Sequence, residues 1–289
     1  MKTSHSTNAD GRRIRAVILA AGLGTRMEHL TQETQKGLVS VGTEPFLNAS
    51  LREFYHAGVR EIILVVGWKR EMVMQYYGSF FPVDGECGVH IGYAYQEERL
   101  GTAHALWQTR DAFLVDGTLT DEYFVMANSD NLYHRDDIRA LYERPMNLNR
   151  MIGYDGQALV YRDDRVKRFA VIQIRRDANV DFGYLEDIVE HPTDEDRERF
   201  GIEGRSYVSM NVFGFLADQI FPAIEYTMEQ LGPSPRGEHE LPDSVRTLLR
   251  RYGQVEILPR TRHVPDLTQP TDVDEVRAYL MEGIIDDGR

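Results

Sequence analysis

Apolar positions along the chain fall into two alternating kinds of run. Arg15-Ala16-Val17-Ile18-Leu19-Ala20-Ala21 is short and almost continuously apolar, as a strand buried on both faces requires. Gly22, Gly24 and Thr25 then break it. From Pro45 to Ala57 the period changes: Phe46, Leu47, Leu51, Phe54 and Tyr55 recur at helical spacing, and Gly58 stops the helix. The same alternation predicts strands over Glu61–Val66, Val89–Gln96 and Glu122–Ala127. It predicts helices over Lys69–Tyr77, ended by Gly78, and Thr102–Ala112. Strands that take turns with helices imply right-handed crossovers. The expected fold class is therefore α/β: three α/β/α layers around a mostly parallel, mixed sheet.

The character changes between about Met151 and Phe215. Short strand-like runs (Ala158–Tyr161, Phe169–Ile174, Val208–Phe215) alternate with charged loops, which suggests a mixed or antiparallel extension of the sheet. Thr193 to Phe200 reads as a solvated helix or loop. A helix opened by Pro242 is expected over Leu241–Tyr252, a late strand over Val255–Leu258, and a terminal helix over Asp272–Met281. No internal repeat or low-complexity tract interrupts this plan. Residues 1–13 are polar without an apolar core and read as a disordered tail rather than a secretory signal.

Charge narrows the partners. The formal net charge is -13, which argues against a nucleic-acid footprint built from clustered Lys and Arg. A nucleotide ligand is not excluded, because a triphosphate needs only a few local cations, backbone N–H groups and a metal. No apolar stretch is long enough to cross a membrane. Cys87 is the single cysteine, so no intrachain disulfide can form; this fits a reducing cytoplasm, the expected location. It sits in Asp84-Gly85-Glu86-Cys87-Gly88 and reads as a turn residue rather than a nucleophile. A homo-oligomer is compatible with the sequence, which does not fix the number of subunits.

Candidate chemistry begins at the loop Leu19-Ala20-Ala21-Gly22-Leu23-Gly24-Thr25-Arg26-Met27. Glycines directly after a buried strand let the backbone approach phosphate oxygens closely. A dinucleotide-binding loop would carry a third glycine, and a P-loop would carry Gly-Lys-Ser/Thr. Both are absent, and Arg26 lies inside the loop. Lys36 follows ten residues after Arg26. Two cations beside an anion-binding loop suit nucleotidyl transfer, where charge builds on the attacked phosphate and the departing pyrophosphate.

These motifs resemble the sugar-1-phosphate nucleotidyltransferases, the family that includes glucose-1-phosphate thymidylyl- and uridylyltransferases. The resemblance spans Ile14 to about Leu280, more loosely in the middle. It implies a Rossmann-like fold of the nucleotide-diphospho-sugar transferase type. It also implies a single domain over 14–289, with a nucleotide-binding part (about 14–135) and an acceptor-binding part (about 136–289). Leu19, Ala20, Ala21, Gly22, Gly24 and Thr25 match the donor loop, with Arg26 and Lys36 as catalytic cations. Gln96-Glu97-Glu98-Arg99-Leu100-Gly101-Thr102-Ala103 resembles the segment that reads the base, which points to Gln96, Gly101 and Thr102. A Gln amide can both donate to and accept from a base edge. The other reading of this turn is a strand end with Thr102 as a helix cap.

Asn128-Ser129-Asp130-Asn131 is similar to the family's G-D-N, and His263-Val264-Pro265-Asp266 to its late W-x-D. By that resemblance Asp130 and Asp266 are ligands of Mg²⁺, the expected cofactor. The acceptor half departs from the family. Glu190-His191-Pro192 replaces E-K-P, Asn211 replaces a glycine, and Glu44-Pro45 replaces Lys-Pro. Gly153, Glu190, His191 and Asn211 are the acceptor-binding candidates. The expected reaction joins a nucleoside triphosphate to a sugar 1-phosphate, releasing pyrophosphate. Two alternatives stay open: a non-sugar acceptor (phosphocholine, a polyol phosphate or a phosphonate), and a catalytically silent regulatory subunit of the same fold.

Overall fold

The computed structural model describes residues 14–161, 163–202 and 204–286. The tail expected over 1–13 lies outside them. The strands are β1 (Arg15–Ala20), β2 (Glu61–Val66), β3 (Phe80–Asp84), β4 (Cys87–Tyr95), β5 (Leu114–Val115), β6 (Thr118–Leu119), β7 (Tyr123–Asn128), β8 (Asn149–Asp155), β9 (Ala170–Arg176), β10 (Gly183–Val189), β11 (Tyr207–Ser209), β12 (Val212–Leu216) and β13 (Val255–Arg260). All but the β5–β6 pair join one mixed sheet, in the order β11-β9-β10-β13-β8-β12-β7-β1-β2-β4-β3. Neighbours from β7 through β1 and β2 to β4 are parallel, as are β13 and β8; the other neighbours are antiparallel. An extra β11–β8 pairing closes β8, β13, β10, β9 and β11 into a ring.

Burial explains the layers. Ala16 to Ala20 are each at most 8% exposed, so β1 must be covered on both faces. One face packs against α1 (Phe46–Ala57), α2 (Arg70–Tyr77) and α4 (Arg135–Ala140), through Leu47, Phe54, Val73 and Ile138. The other packs against α3 (Thr102–Trp107), α7 (Ala217–Tyr226) and α8 (Leu241–Tyr252), through Leu106, Phe221 and Leu248. The remaining helices are α5 (Asp163–Val166), α6 (Asp194–Phe200) and α9 (Asp272–Asp286).

Local chemistry sets several of the ends. Gly58 adopts φ 110° and its N–H caps α1 on the carbonyls of Phe54 and Tyr55. Thr193 and Asp196 form a reciprocal capping box that makes α6 a helix despite its charge.

Three expected elements differ. Ala158–Tyr161 is not a strand: β8 ends at Asp155, and the Val160 N–H donates to His263 Nδ1 at 3.1 Å instead of to a ladder. Val208–Phe215 is two strands, interrupted at Met210-Asn211, where Asn211 has φ 57°. The helix expected over Thr102–Ala112 stops at Trp107 and continues as a 3₁₀ turn from Arg110 to Phe113. Strands β3, β5, β6, β8 and β10 and helices α4, α5 and α7 have no counterpart among the expected elements.

Candidate active site

The donor loop leaves the C-terminal end of β1 and enters a 3₁₀ turn over Thr25–Thr31. Gly24 has φ 65°, and a Cβ there would lie 3.0 Å from Thr31 Cγ2 and 3.1 Å from Lys36 Cβ. Only a glycine lets Lys36 close against the loop in this way. Gln35 acts as a strut beside it. Its Nε2 donates to the Ala20 carbonyl at 2.9 Å, while its Oε1 accepts from the Gly37 N–H at 2.6 Å. Leu19, Ala21, Gly22, Gly24, Thr25, Arg26 and Lys36 line a cleft of about 600 Å³. Ala20 lies under it, buried, and contributes its carbonyl to the strut.

The opposite wall carries Gln96, Gly101 and Thr102. Gln96 is buried, and its Nε2 donates to the Gly101 carbonyl at 3.0 Å. Gly101 has φ 96°, and a Cβ there would lie 2.5 Å from the His239 carbonyl oxygen. The close approach that demands glycine is therefore made by the chain itself. His239 N donates to Leu100 O at 2.6 Å, and Ala103 N donates to His239 O at 2.9 Å. Thr102 is a cap, though not of its own helix: its hydroxyl accepts from the Leu241 N–H at 2.9 Å, at the start of α8. This docking carries Glu238 into the donor cleft.

Asp130 follows β7 and Asp266 follows β13, and backbone bonds hold the two segments together. Asn131 bridges Asp266, the Leu267 N–H donates to the Asp130 carbonyl at 2.8 Å, and the Leu132 N–H donates to the Pro265 carbonyl at 2.8 Å. Lys36 Nζ lies 2.7 Å from Asp130 Oδ2. Burial pushes the Asp130 carboxyl up, but Lys36 and then Arg26 outweigh it and hold the group below the usual carboxylate range. Asp266 goes the other way: burial and the Asp130 charge raise it, against Arg165 and Lys36. Thr268 Oγ1 donates to Asp266 Oδ1 at 2.5 Å, and Arg165 donates to its Oδ2 at 2.9 Å. Among the described residues no group of three or more His, Cys, Asp or Glu is set to hold a metal. Asp130 lines the cleft, whereas Asp266 is buried and outside its lining; the two are near enough for the Asp130 charge to raise Asp266, and their hard oxygens suit Mg²⁺, which keeps several waters of its own.

The acceptor candidates do not line this cleft. Gly153 lies among the strands of the closed ring, where a Cβ would meet Ile257 Cγ2 at 2.9 Å and Ile172 Cδ1 at 3.0 Å. Glu190 is half-buried. Burial raises its carboxyl to about 7, helped by Glu240 and Asp243 and opposed by Arg236. His191 is exposed with φ 51°, and desolvation of its ring, then Arg236, lower its pKa, so it is neutral at pH 7. Asn211 explains its own substitution: φ 57° is the left-handed region where a glycine fits and Asn is the next best residue. Its Oδ1 is buried and has no hydrogen-bond partner among the described residues.

Sequence reading missed Gln35, Arg99, Asn128, Ser129, Glu238 and Thr268, all of which line the donor cleft. Ser129 and Thr268 lie within two residues of the metal candidates, so proximity was a usable signal. Nothing local in Pro235-Arg236-Gly237-Glu238 marked it as part of the cleft wall.

The chain is similar to known proteins over most of its length. The family model described as nucleotidyl transferase matches residues 15–272. A UTP–glucose-1-phosphate uridylyltransferase of Haloferax volcanii is 28% identical over 271 residues, covering 93% of this chain and 97% of the relative. A D-glycero-alpha-D-manno-heptose 1-phosphate guanylyltransferase of Aneurinibacillus thermoaerophilus is 27% identical over 220 residues, covering 71% of this chain and 90% of the relative. The crystal structure of a UDP-glucose pyrophosphorylase with UDP-glucose superposes with a TM-score of 0.72 at 17% identity, covering 93% and 98% of the two chains, and so shares the fold. With the model matched over nearly its whole described length, this chain belongs to the nucleotidyl transferase family.

Proposed function

We propose that this chain joins a nucleoside triphosphate to a sugar 1-phosphate, giving an NDP-sugar and pyrophosphate. The observation that carries the reading is the Lys36–Asp130 pair, at 2.7 Å, on the floor of a glycine-walled cleft. The acceptor's phosphate oxygen attacks the α-phosphorus in line. It arrives already ionised, so no covalent enzyme intermediate is needed. Leu19, Ala21, Gly22, Gly24 and Thr25 shape the triphosphate's bed, and Gln96, Gly101 and Thr102 the base's wall. Arg26 and Lys36 offset the charge that develops on the α-phosphate and on the leaving pyrophosphate. Asp130 and Asp266 would hold Mg²⁺, which supplies further charge neutralisation and orients both phosphates.

The donor part (14–135) and the acceptor part (136–289) act as one domain, since Glu238 and Thr268 reach the donor cleft from the second part. On the acceptor side, Glu190 and Asn211 meet hydroxyls and Gly153 forms part of the wall. His191, neutral at pH 7, is a poor anchor for a phosphate. The Arg236 guanidinium that acts on both Glu190 and His191 is the better one. That same neutral His191 favours keeping a second reading, a non-sugar phosphate acceptor. The chain's lone Cys87, exposed, fits a cytoplasmic setting.

A pyrophosphate-release screen tests this reading. UTP, dTTP, GTP, CTP and ATP are each paired with sugar 1-phosphates, polyol phosphates and phosphocholine in Mg²⁺. Release with a sugar 1-phosphate, lost in Asp130→Asn, is the expected result. Release only with phosphocholine or a polyol phosphate would replace the sugar reading, and no release with any pair would overturn transfer itself.

A further inference from the structure

Arg165 is a cation that neither the phosphate loop nor the acceptor candidates account for. It comes from α5, in the connection between β8 and β9, and reaches the second carboxylate 101 residues away. Its Nη2 donates to Asp266 Oδ2 at 2.9 Å and to the Asp266 carbonyl at 3.0 Å. The same fork donates to both oxygens of Asp272, at 2.7 and 2.9 Å. The guanidinium also lies over the Tyr161 ring, 4.5 Å from its centroid. Tyr161 is itself held, its hydroxyl donating to the Val264 carbonyl. Asp272 is held too, accepting from the Thr268 and Gln269 N–H groups at 2.7 Å each. The side chain is 14% exposed, and its two carboxylate partners keep it firmly protonated against the cost of burial. A fork engaged on this many sides does not wander.

The consequence is a matter of charge. Each of the two carboxylates already has a cation against it: Asp130 has Lys36 at 2.7 Å, and Asp266 has Arg165 at 2.9 Å, a guanidinium it shares with Asp272. A free divalent cation approaching Asp130 and Asp266 meets these two resident cations, which repel it. A triphosphate brings its own negative charge, and with it in the cleft the balance turns in favour of a cation.

We propose that Arg165 is a resident counter-cation of the metal site: seated on Asp266, it makes divalent-cation binding depend on the arriving triphosphate. The inference rests on the proposal that Asp130 and Asp266 are the metal ligands.

Mn²⁺ binding, followed by the paramagnetic resonance of the free ion at pH 8, tests it in the full chain without turnover. Without nucleotide, Arg165→Gln should bind Mn²⁺ about tenfold more tightly than the unaltered protein, as expected for loss of one nearby positive charge partly shielded by Asp272. Arg165→Lys keeps the charge and loses the fork, so its affinity should stay within about threefold of the unaltered protein. With an unreactive α,β-methylene triphosphate present, the gain in Arg165→Gln should shrink.

Unchanged or weaker Mn²⁺ binding by Arg165→Gln would overturn the proposal. So would a tenfold gain in Arg165→Lys, which remains the test if the Gln variant fails to fold. Asp266→Asn separates the two levels. If it binds Mn²⁺ with the triphosphate as the unaltered protein does, the metal-site assignment itself fails. If it loses that binding while Arg165→Gln shows no gain, only the Arg165 inference fails.

Discussion

The Lys36 ammonium sits 2.7 Å from Oδ2 of Asp130, although the two residues are 94 positions apart. The contact joins the 3₁₀ turn at Lys36 to the segment that follows β7. It lies at the C-terminal edge of the parallel strands, where open α/β sheets bind ligands.

Replacing Lys36 with Met should lower kcat/KM for pyrophosphate release about a thousandfold, the usual cost of losing a cation aimed at developing phosphate charge. The fold should survive, because Asp130 keeps contact with solvent (27% exposed) and can take up water in place of the ammonium. Steady-state assays beside circular-dichroism melts separate the two effects. Activity within tenfold of the unaltered protein, with the melt unchanged, would remove Lys36 from the mechanism.

Gly101→Ala should destabilise the protein by about 2–3 kcal/mol, combining strain at φ 96° with a methyl 2.5 Å from the His239 carbonyl oxygen. Because the same contact seats Glu238 beside the donor cleft, KM for the triphosphate should rise as well. Urea unfolding and triphosphate titrations on one preparation check both. A stable variant with unaltered triphosphate affinity would show that the His239 segment is not part of the donor site.

The strands and the cleft-lining loop of residues 14–135 were readable from sequence because their signals are local. Continuous apolar runs gave β1, β2 and β7, and the loop that carries Arg26 follows β1 directly. Glycines at φ 65° and φ 96° marked both walls of the cleft. The acceptor half hides its plan in pairings between distant segments. Strand β10 contains Glu186 and Asp187 and lacks a clean alternation, yet it forms because β9 and β13 flank it. Strand β3 carries Pro82, which only an edge position tolerates. Arg165 looked like one charge in a charged loop, and its partners Asp266 and Asp272 lie about a hundred residues away.

Glu190 gives a pH signature. Its carboxyl is raised from 4.5 to about 7, first by burial and then by Glu240 and Asp243. Between those values the folded protein holds a proton that the unfolded chain has lost. The group's contribution is therefore fully present below about pH 4.5 and disappears as pH rises through 7. Glu190→Gln, neutral throughout, should match the unaltered protein near pH 4.5 and melt about 2–4 °C higher at pH 8. Differential scanning calorimetry at the two pH values decides the matter; an equal shift at both would mean that Glu190 does not titrate in this range.

Asn211 separates backbone need from side-chain contact. Its φ of 57° suits glycine, so Asn211→Gly should leave the melting temperature nearly unchanged. Asn211→Ala should cost about 1 kcal/mol, because a Cβ without a polar side chain has no compensation in the left-handed region. Loss of fold in the glycine variant would contradict the backbone argument directly. The side chain is a separate matter, since its Oδ1 is buried with no partner among the described residues. An acceptor hydroxyl that donates to this oxygen would satisfy it. KM for the acceptor should then rise about tenfold in Asn211→Gly and Asn211→Ala alike, while KM for the triphosphate stays constant. A rise confined to the alanine variant would trace the effect to backbone strain, and Asn211 would leave the acceptor site.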